Sequence, residues 1–139
     1  MNWIVWALLS AFFAGLTAIL AKIGVNEINS NLATAIRTGV ILIFSWAIVF
    51  ATNPGVLHSS INKKAWTFLI LSGLATGMSW LCYFRALKLG EASRVAPIDK
   101  LSVVFTVLLS MLILHERLNW HQAAGVGLIV AGALLLALK

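Results

Sequence analysis

Charged residues are scarce in this chain, whose 139 residues include only ten Lys or Arg and four Asp or Glu. Soluble globular domains carry charges on about a quarter of their residues, so the composition excludes a soluble domain. Hydrophobic residues make up 61% of the chain instead, and the mean hydropathy is +0.99. The composition therefore predicts an integral membrane protein in contact with the lipid bilayer.

Acidic residues are fewer than basic residues, which leaves a formal net charge of +6. In a soluble domain this excess would favour nucleic-acid binding, but in a membrane protein basic residues mainly flank the spans on the cytoplasmic side. We therefore expect no nucleic-acid partner and interpret the excess as a topology signal. Cysteine is nearly absent as well, and the single Cys82 excludes an intrachain disulfide.

The chain also lacks a catalytic constellation. Its histidines, His58, His115 and His121, fall in or beside the expected loops, so no serine within a span has a base to activate it. His115 and His121 are six residues apart, whereas the histidines of a zinc-binding HExxH helix are four apart. We therefore expect no enzyme activity, no metal site and no cofactor.

Five stretches of the sequence are apolar over the roughly 20 residues that a membrane-spanning helix requires. They cover nearly the whole chain, so residues 1–139 are expected to form a single domain. In hydrocarbon the backbone must satisfy its own hydrogen bonds, and no stretch has the alternation of a barrel strand. The predicted fold class is all-α integral membrane, with spans at 3–23, 33–51, 65–87, 95–114 and 120–138.

Basic residues are unevenly distributed between the two membrane faces that these spans define. One face has three, which are Lys63, Lys64 and Arg117. The opposite face has seven, which are Lys22, Arg37, Arg85, Lys88, Arg94, Lys100 and Lys139. This excess favours a C-terminus inside and an N-terminus outside. The expected location is the cytoplasmic (inner) membrane of a bacterium or an archaeon. If three of the seven lie within helix ends, the ratio falls to four against three, and insertion in both orientations is permitted.

The sharpest local feature is the adjacent pair Asp99 and Lys100 at the head of the fourth span. Pro97 lacks an N–H and is tolerated in the first turn of a helix, and Ser93 is a suitable N-cap. Asp99 would then lie roughly 9 Å beyond Ser93, where ionised side chains usually face the bundle interior or a wet cavity. Neighbouring residues on a helix do not face each other, so we expect each charge to find a partner on another helix.

Several residues on the same membrane face are candidates to line a substrate or proton pathway with this pair. They are Lys22 ending the first span, Arg37 opening the second, Arg85 ending the third, and Trp80 with Tyr83 on the third. A structural ion-pair network that fixes topology explains the same charges, and aromatic residues at helical spacing are usually packing. Both interpretations stay open from the sequence alone.

Small residues recur every four positions in the fifth span, at Ala123, Gly127 and Ala131. Small residues at this spacing let two helices approach closely in lipid. The stripe therefore indicates either a dimer interface or internal packing. Gly73 and Gly77 form a GxxxG in the third span, for which we expect packing within the bundle.

The five spans, Arg37 at the start of the second, the segment 83–93 (YFRALKLGEAS) and the segment 108–118 (LLSMLILHERL) together resemble one EamA repeat. That repeat is the building block of the drug/metabolite transporter superfamily, and the resemblance covers the whole chain. It implies a small secondary transporter that moves a small metabolite or an amphipathic compound by alternating access. Members of the family typically carry two such repeats in inverted orientation, and this chain shows one.

A single repeat needs a partner, because an inverted-repeat transporter places its substrate site between its halves. The resemblance therefore implies a homodimer, with the antiparallel arrangement of the small multidrug resistance relatives. Those relatives associate through the final helix, which would assign Ala123, Gly127 and Ala131 to the dimer interface. They also carry a glutamate in the first helix that is missing here, so we infer that Asp99 takes over any proton coupling.

Two residues at the end of the fourth span can also be compared with those of the family that the chain resembles. Glu116 matches the family's glutamate, and we expect a structural or topological role for it, as for Pro97. His115 stands where the family more often has glycine.

Two functional hypotheses follow. The leading one is a small secondary transporter, with a substrate that is anionic or zwitterionic because basic residues outnumber acids around Asp99. The alternative is a non-transporting membrane subunit that serves another protein as an assembly or regulatory partner.

Overall fold

The computed structural model describes residues 2–52, 55 and 61–138, and this part of the chain contains six helices and no strand. The helices are α1 (Trp3–Glu27), α2 (Ser30–Thr52), α3 (Lys63–Leu89), α4 (Ala92–Asp99), α5 (Ser102–Ile113) and α6 (Trp120–Ala137). Together α4 and α5 form one span, so five helical stretches are long and apolar enough to cross a membrane. The predicted fold class is confirmed, while His58 and Lys139 lie outside the described residues.

Asparagine side chains stand at the start of three helices. The Asn29 side chain accepts the N–H of Asn31 at 2.8 Å before α2, and Asn62 accepts the N–H of Lys64 at 3.1 Å at α3. Before α6, Asn119 and Gln122 form a capping box in which the Gln122 Oε1 accepts the Asn119 N–H at 2.9 Å. These side chains bond amide groups that a helix N-terminus leaves without intrahelical partners.

The chain divides into two compact units, Met1–Lys22 with Leu89–Lys139, and Ile23–Lys88. In the first unit α6 turns back along the fourth span and packs mainly against α4 and more lightly against α5. Ala133 in the C-terminal half of α6 is buried, because a small side chain allows close approach of helices. The N-terminal half of α6, which lies on the side of α5, is therefore packed less closely than the C-terminal half.

In the second unit the start of α2 is buried although it carries hydroxyl groups. Ser30 and Thr34 are each 6% exposed, and the Thr34 hydroxyl donates to the Ser30 carbonyl at 2.9 Å. A hydroxyl that is bonded to its own helix carries no unsatisfied donor into an apolar environment. Val25 of α1 and the α3 residues Phe84 and Leu87 are buried as well.

The fourth span begins differently from the prediction. Glu91, not Ser93, is the residue that precedes the helix, and its carbonyl accepts the N–H groups of Arg94 and Val95 at 3.0 Å each. Glu91 also pairs with the Arg94 Nε at 3.2 Å, which strengthens the first turn. Pro97 consequently lies in the interior of α4 instead of its first turn, where it removes one helical hydrogen bond.

Three residues beyond Pro97 the fourth span is interrupted at Lys100 and Leu101. The Lys100 N–H is shared between the carbonyls of Ala96 at 3.3 Å and Pro97 at 3.1 Å, and the Leu101 N–H donates to Ile98 at 2.9 Å. Bonds to the third preceding residue are those of a tighter 3₁₀ turn, which often marks a functional hinge within a helix. The predicted span at 95–114 is thus two helical segments joined by a short tight turn.

The end of α5 places a residue other than glycine in a left-handed conformation. His115 has a φ of 55° and is the one non-glycine residue with positive φ in the described part of the chain. The N–H groups of Leu114 and Glu116 both donate to the Ser110 carbonyl, at 3.0 and 3.3 Å. Helices commonly end with a left-handed residue, for which glycine is preferred because it has no Cβ.

Replacing His115 with glycine should therefore stabilise the protein by about 1 kcal/mol, since a left-handed conformation costs an L-residue about that much. Thermal unfolding in detergent micelles measures the effect. His115→Ala is the matched control, because alanine shortens the side chain and keeps the conformational cost. A glycine variant no more stable than the alanine variant would show that the left-handed conformation at position 115 does not lower the stability.

Candidate functional site

The guanidinium of Arg37, on α2, lies over aromatic rings of α3. Its Cζ is 4.2 Å from the centroid of the Trp80 ring and 5.5 Å from that of Phe84. Trp80 is half-buried and Phe84 is 3% exposed, so the rings form a fixed apolar surface beneath the cation. Both distances are within the range of a cation–π interaction.

This arginine lies within a helix long and apolar enough to span a membrane, and it pairs with no carboxylate among the described residues. It lies seven residues beyond Ser30, about 10 Å along α2, and forms no ion pair or hydrogen bond with any residue that the structure describes. A cation–π interaction contributes from about 0.5–1 kcal/mol at exposed sites to about 2 kcal/mol when desolvated, and a charge costs less near the start of a span than at the bilayer centre. The rings thus offset part of the insertion cost and leave the N–H donors available to an anion.

Sequence reasoning placed Arg37 and Trp80 in the expected pathway and left out Phe84, the third residue of this contact. Trp80 and Phe84 are four residues apart on α3 and therefore share one helix face, which is the signal that would have found it. Tyr83, also an expected pathway residue, is half-buried and lies edge-on to Phe84 with ring centroids 6.5 Å apart.

Asp99 and Lys100 contact each other, which corrects the expectation that each needs a partner on another helix. The Lys100 Nζ lies 3.6 Å from Asp99 Oδ2, and the two side chains are 57% and 37% exposed respectively. The 3₁₀ turn at Lys100 departs from regular helix geometry, and the long lysine side chain can fold back onto its neighbour. A pair this exposed contributes little stability, so it is easily separated.

Lys22 and Lys88 bond to backbone carbonyls at turns between helices. Lys22 donates to the Gly90 carbonyl at 2.9 Å, and Lys88 donates to the Ile28 carbonyl at 2.6 Å. Carbonyls after the end of a helix favour such cationic donors. Lys22, expected in the pathway, therefore ties α1 to the turn after α3. Arg85 is exposed and forms no ion pair with a described residue; its place in a pathway stays a prediction.

The small-residue stripe of α6 is only partly covered. Ala123 is half-buried, whereas Gly127 and Ala131 are exposed, and a Cβ on Gly127 would meet no described atom within 4 Å. The same holds for Gly73 and Gly77 on α3, and the packing of that GxxxG within the bundle stays a prediction.

These features define a class: an all-α membrane protein of five spans with an arginine held on aromatic rings inside one of them. Comparison with known proteins is more specific, because the model of the EamA-like transporter family matches residues 1–138. The chain belongs to the EamA-like transporter family, as its sequence motifs indicated.

Two of the similar proteins match nearly the full length of this chain. An uncharacterized transporter from the region 3′ of cobO in a Sinorhizobium species is 59% identical over 136 residues, which cover 98% of this chain and 96% of that protein. An uncharacterized protein of Methanocaldococcus jannaschii is 32% identical, with the same two coverages. ArnF of Erwinia tasmaniensis, named a probable 4-amino-4-deoxy-L-arabinose-phosphoundecaprenol flippase subunit, is 40% identical over 68% of this chain and 80% of its own length. No solved structure gives a significant match.

Proposed function

We propose that this EamA-family protein is a small secondary transporter that moves an anionic or zwitterionic metabolite or amphipathic compound by alternating access as a homodimer. The observation that carries the proposal is the guanidinium of Arg37, which rests on aromatic rings without a carboxylate partner among the described residues. A substrate carboxylate or phosphate would supply that partner during each transport cycle.

The chemistry of arginine favours such a role. Its planar guanidinium presents a fork of N–H donors that matches a carboxylate or phosphate in two parallel hydrogen bonds. Stacking on Trp80 covers one face of the planar guanidinium. The N–H groups at its edge stay available to an anion. An ionisable residue within a span is by default a candidate functional site. The name of the related flippase subunit includes a phosphate-bearing lipid, which is an anion of the same chemical kind.

Proton coupling is assigned in this proposal to Asp99. Its carboxylate is about a third exposed, is paired only with the adjacent Lys100 among the described residues, and stands at the 3₁₀ turn of the fourth span. Transporters place ion and substrate sites at discontinuous spanning helices. Protonation of Asp99 would release Lys100 and alter the charge at the turn.

Dimerisation is assigned to α6. The exposed Gly127 and Ala131 leave room for a second helix, and small residues of this spacing are typical of helix contacts in lipid. The basic residues favour a C-terminus inside. If the three within helix ends are discounted, the margin of four against three is compatible with copies in both orientations. Two oppositely oriented copies would reproduce the inverted repeats of longer family members.

A second candidate function is a membrane subunit that acts as an assembly or regulatory partner of another protein. It is favoured by the name of the relative ArnF, which is called a subunit of a flippase. Crosslinking in native membranes distinguishes the two. Self-crosslinks between α6 positions support the homodimeric transporter, and a stoichiometric foreign partner supports the subunit.

Replacing Asp99 with asparagine tests the coupling. In proteoliposomes, uptake of labelled anions driven by a pH gradient should fall at least about tenfold, because asparagine cannot carry the proton, while exchange without a gradient continues. The control is Glu91→Gln, which removes a more exposed carboxylate of an ion pair before the same helix. Gradient-driven uptake that is equal in the Asp99 variant and the wild type would exclude Asp99 from coupling.

A further inference from the structure

A groove of about 360 Å³ opens in the first unit between α5 and α6, beside the turn that joins them. Its floor is apolar and includes Val107 and Met111 of α5 and Val126 and Ile129 of α6. The volume is at the lower end of the roughly 300–1,000 Å³ of small-ligand pockets. The groove is distinct from Arg37 and from Asp99, which do not line it.

A tryptophan at the start of a span is expected at the membrane interface, so the groove should run from there into the hydrocarbon region. Trp120 begins α6, and Ile129 lies nine residues further, about 13 Å along the helix axis. The hydrocarbon core of a bilayer is about 30 Å thick, so the floor extends through a little less than one leaflet. An acyl chain is the apolar group that a bilayer offers over this depth.

The polar end of the groove carries one charge of each sign. Glu116 and Arg117 line it and are exposed. Neither side chain forms an ion pair with a residue in the described part of the chain. Adjacent opposite charges that are not paired with each other can each contact a separate group of a zwitterionic ligand.

We propose that this groove binds an aminophospholipid, with the lipid phosphate on Arg117, the ammonium group on Glu116 and one acyl chain along the apolar floor. A phosphate accepts paired hydrogen bonds from a guanidinium, and a primary ammonium donates to a carboxylate. A phosphatidylglycerol headgroup offers no cation to Glu116. A phosphatidylcholine headgroup has a cation without an N–H to donate. Phosphatidylethanolamine therefore fits both charges best.

The test compares lipid binding by the delipidated, purified protein, using native mass spectrometry with dioleoyl phosphatidylethanolamine, phosphatidylglycerol or phosphatidylcholine. The wild type should prefer phosphatidylethanolamine. Arg117→Gln should weaken its binding about fivefold, as expected for one interfacial cation, and Glu116→Gln should abolish the preference over phosphatidylcholine. Lys64→Gln, an exposed lysine of α3 that does not line the groove, should change neither.

A second pair of variants tests the floor without altering a charge. Gly125 lines the groove and a Cβ there meets no described atom within 4 Å, so Gly125→Leu should fill the groove and lower binding. Gly132→Leu on the same helix is the matched control, because it is equally open and does not line the groove. Equal binding of the three lipids would overturn the proposal. So would unchanged binding by Gly125→Leu, or a loss of dimer in that variant, which would identify a second copy as the occupant.

Discussion

Replacing Arg37 with glutamine should lower uptake of anionic solutes into proteoliposomes by about a hundredfold. Glutamine keeps an amide donor and loses the charge, so the paired charge-assisted hydrogen bonds to a substrate anion are lost. A hydrogen bond to a charged group contributes about 1.5–3 kcal/mol, and about 3 kcal/mol corresponds to roughly a hundredfold in rate. The aromatic rings of Trp80 and Phe84 lose their cation as well.

Two further variants separate the guanidinium from simple positive charge. Arg37→Lys keeps the charge without the planar fork, and uptake should fall about tenfold. Arg94→Gln is the control. Arg94 is already paired with a carboxylate, that of Glu91 at 3.2 Å, so this variant should transport normally. Counterflow with labelled carboxylates and phosphate monoesters provides the measurement. Full anion uptake by the glutamine variant would refute the role of Arg37 in substrate binding.

Substitution of Gly127 by leucine should abolish the dimer and transport together while the monomer stays folded. The glycine is exposed on α6 and an added Cβ meets nothing within 4 Å among the described residues, so the added side chain starts in open space. Across a close helix contact in lipid, the same side chain would hold the partner several ångströms away and remove the packing that drives association. We expect at least a tenfold loss of dimer at equal protein-to-lipid ratio.

Gly15→Leu provides the matched control, because Gly15 is an equally open, exposed glycine within the spanning helix α1. Single-molecule photobleaching in lipid bilayers counts the copies in each complex, and thermal unfolding reports whether the monomer is intact. A Gly127 variant that remains dimeric would exclude this face of α6 from the interface. Loss of dimer in both variants would show that a bulky side chain on any exposed helix face disrupts the dimer, and would not identify α6 as the interface.

The spans are the part of the fold that sequence reasoning predicted best, because burial in hydrocarbon leaves a continuous apolar signal of about 20 residues. Their ends were less predictable. Helix α1 runs on to Glu27 and α3 to Leu89, and the turns beyond them are bonded by lysines, Ile28 by Lys88 and Gly90 by Lys22. These two bonds join residues 68 and 60 positions apart in sequence, so no local sequence pattern predicts them.

The candidate site was predictable in its members and not in its pairing. An arginine near the start of a span and a tryptophan in the next are visible in the sequence, but the contact of 4.2 Å between them depends on how α2 packs on α3. The expectation for Asp99 failed for a related reason. The i, i+1 argument assumes a regular helix, and the tight turn after Pro97 allows Lys100 to reach its neighbour.

By itself the sequence determined the membrane setting, the five spans, the family and the scarcity of charges that makes each one informative. Only the tertiary structure decided which charges are satisfied, by carbonyls for Lys22, by a neighbour for Asp99 and by aromatic rings for Arg37. The reason is physical: transfer into lipid depends on local composition summed along one helix, whereas a charge is stabilised by atoms that separate helices bring within a few ångströms.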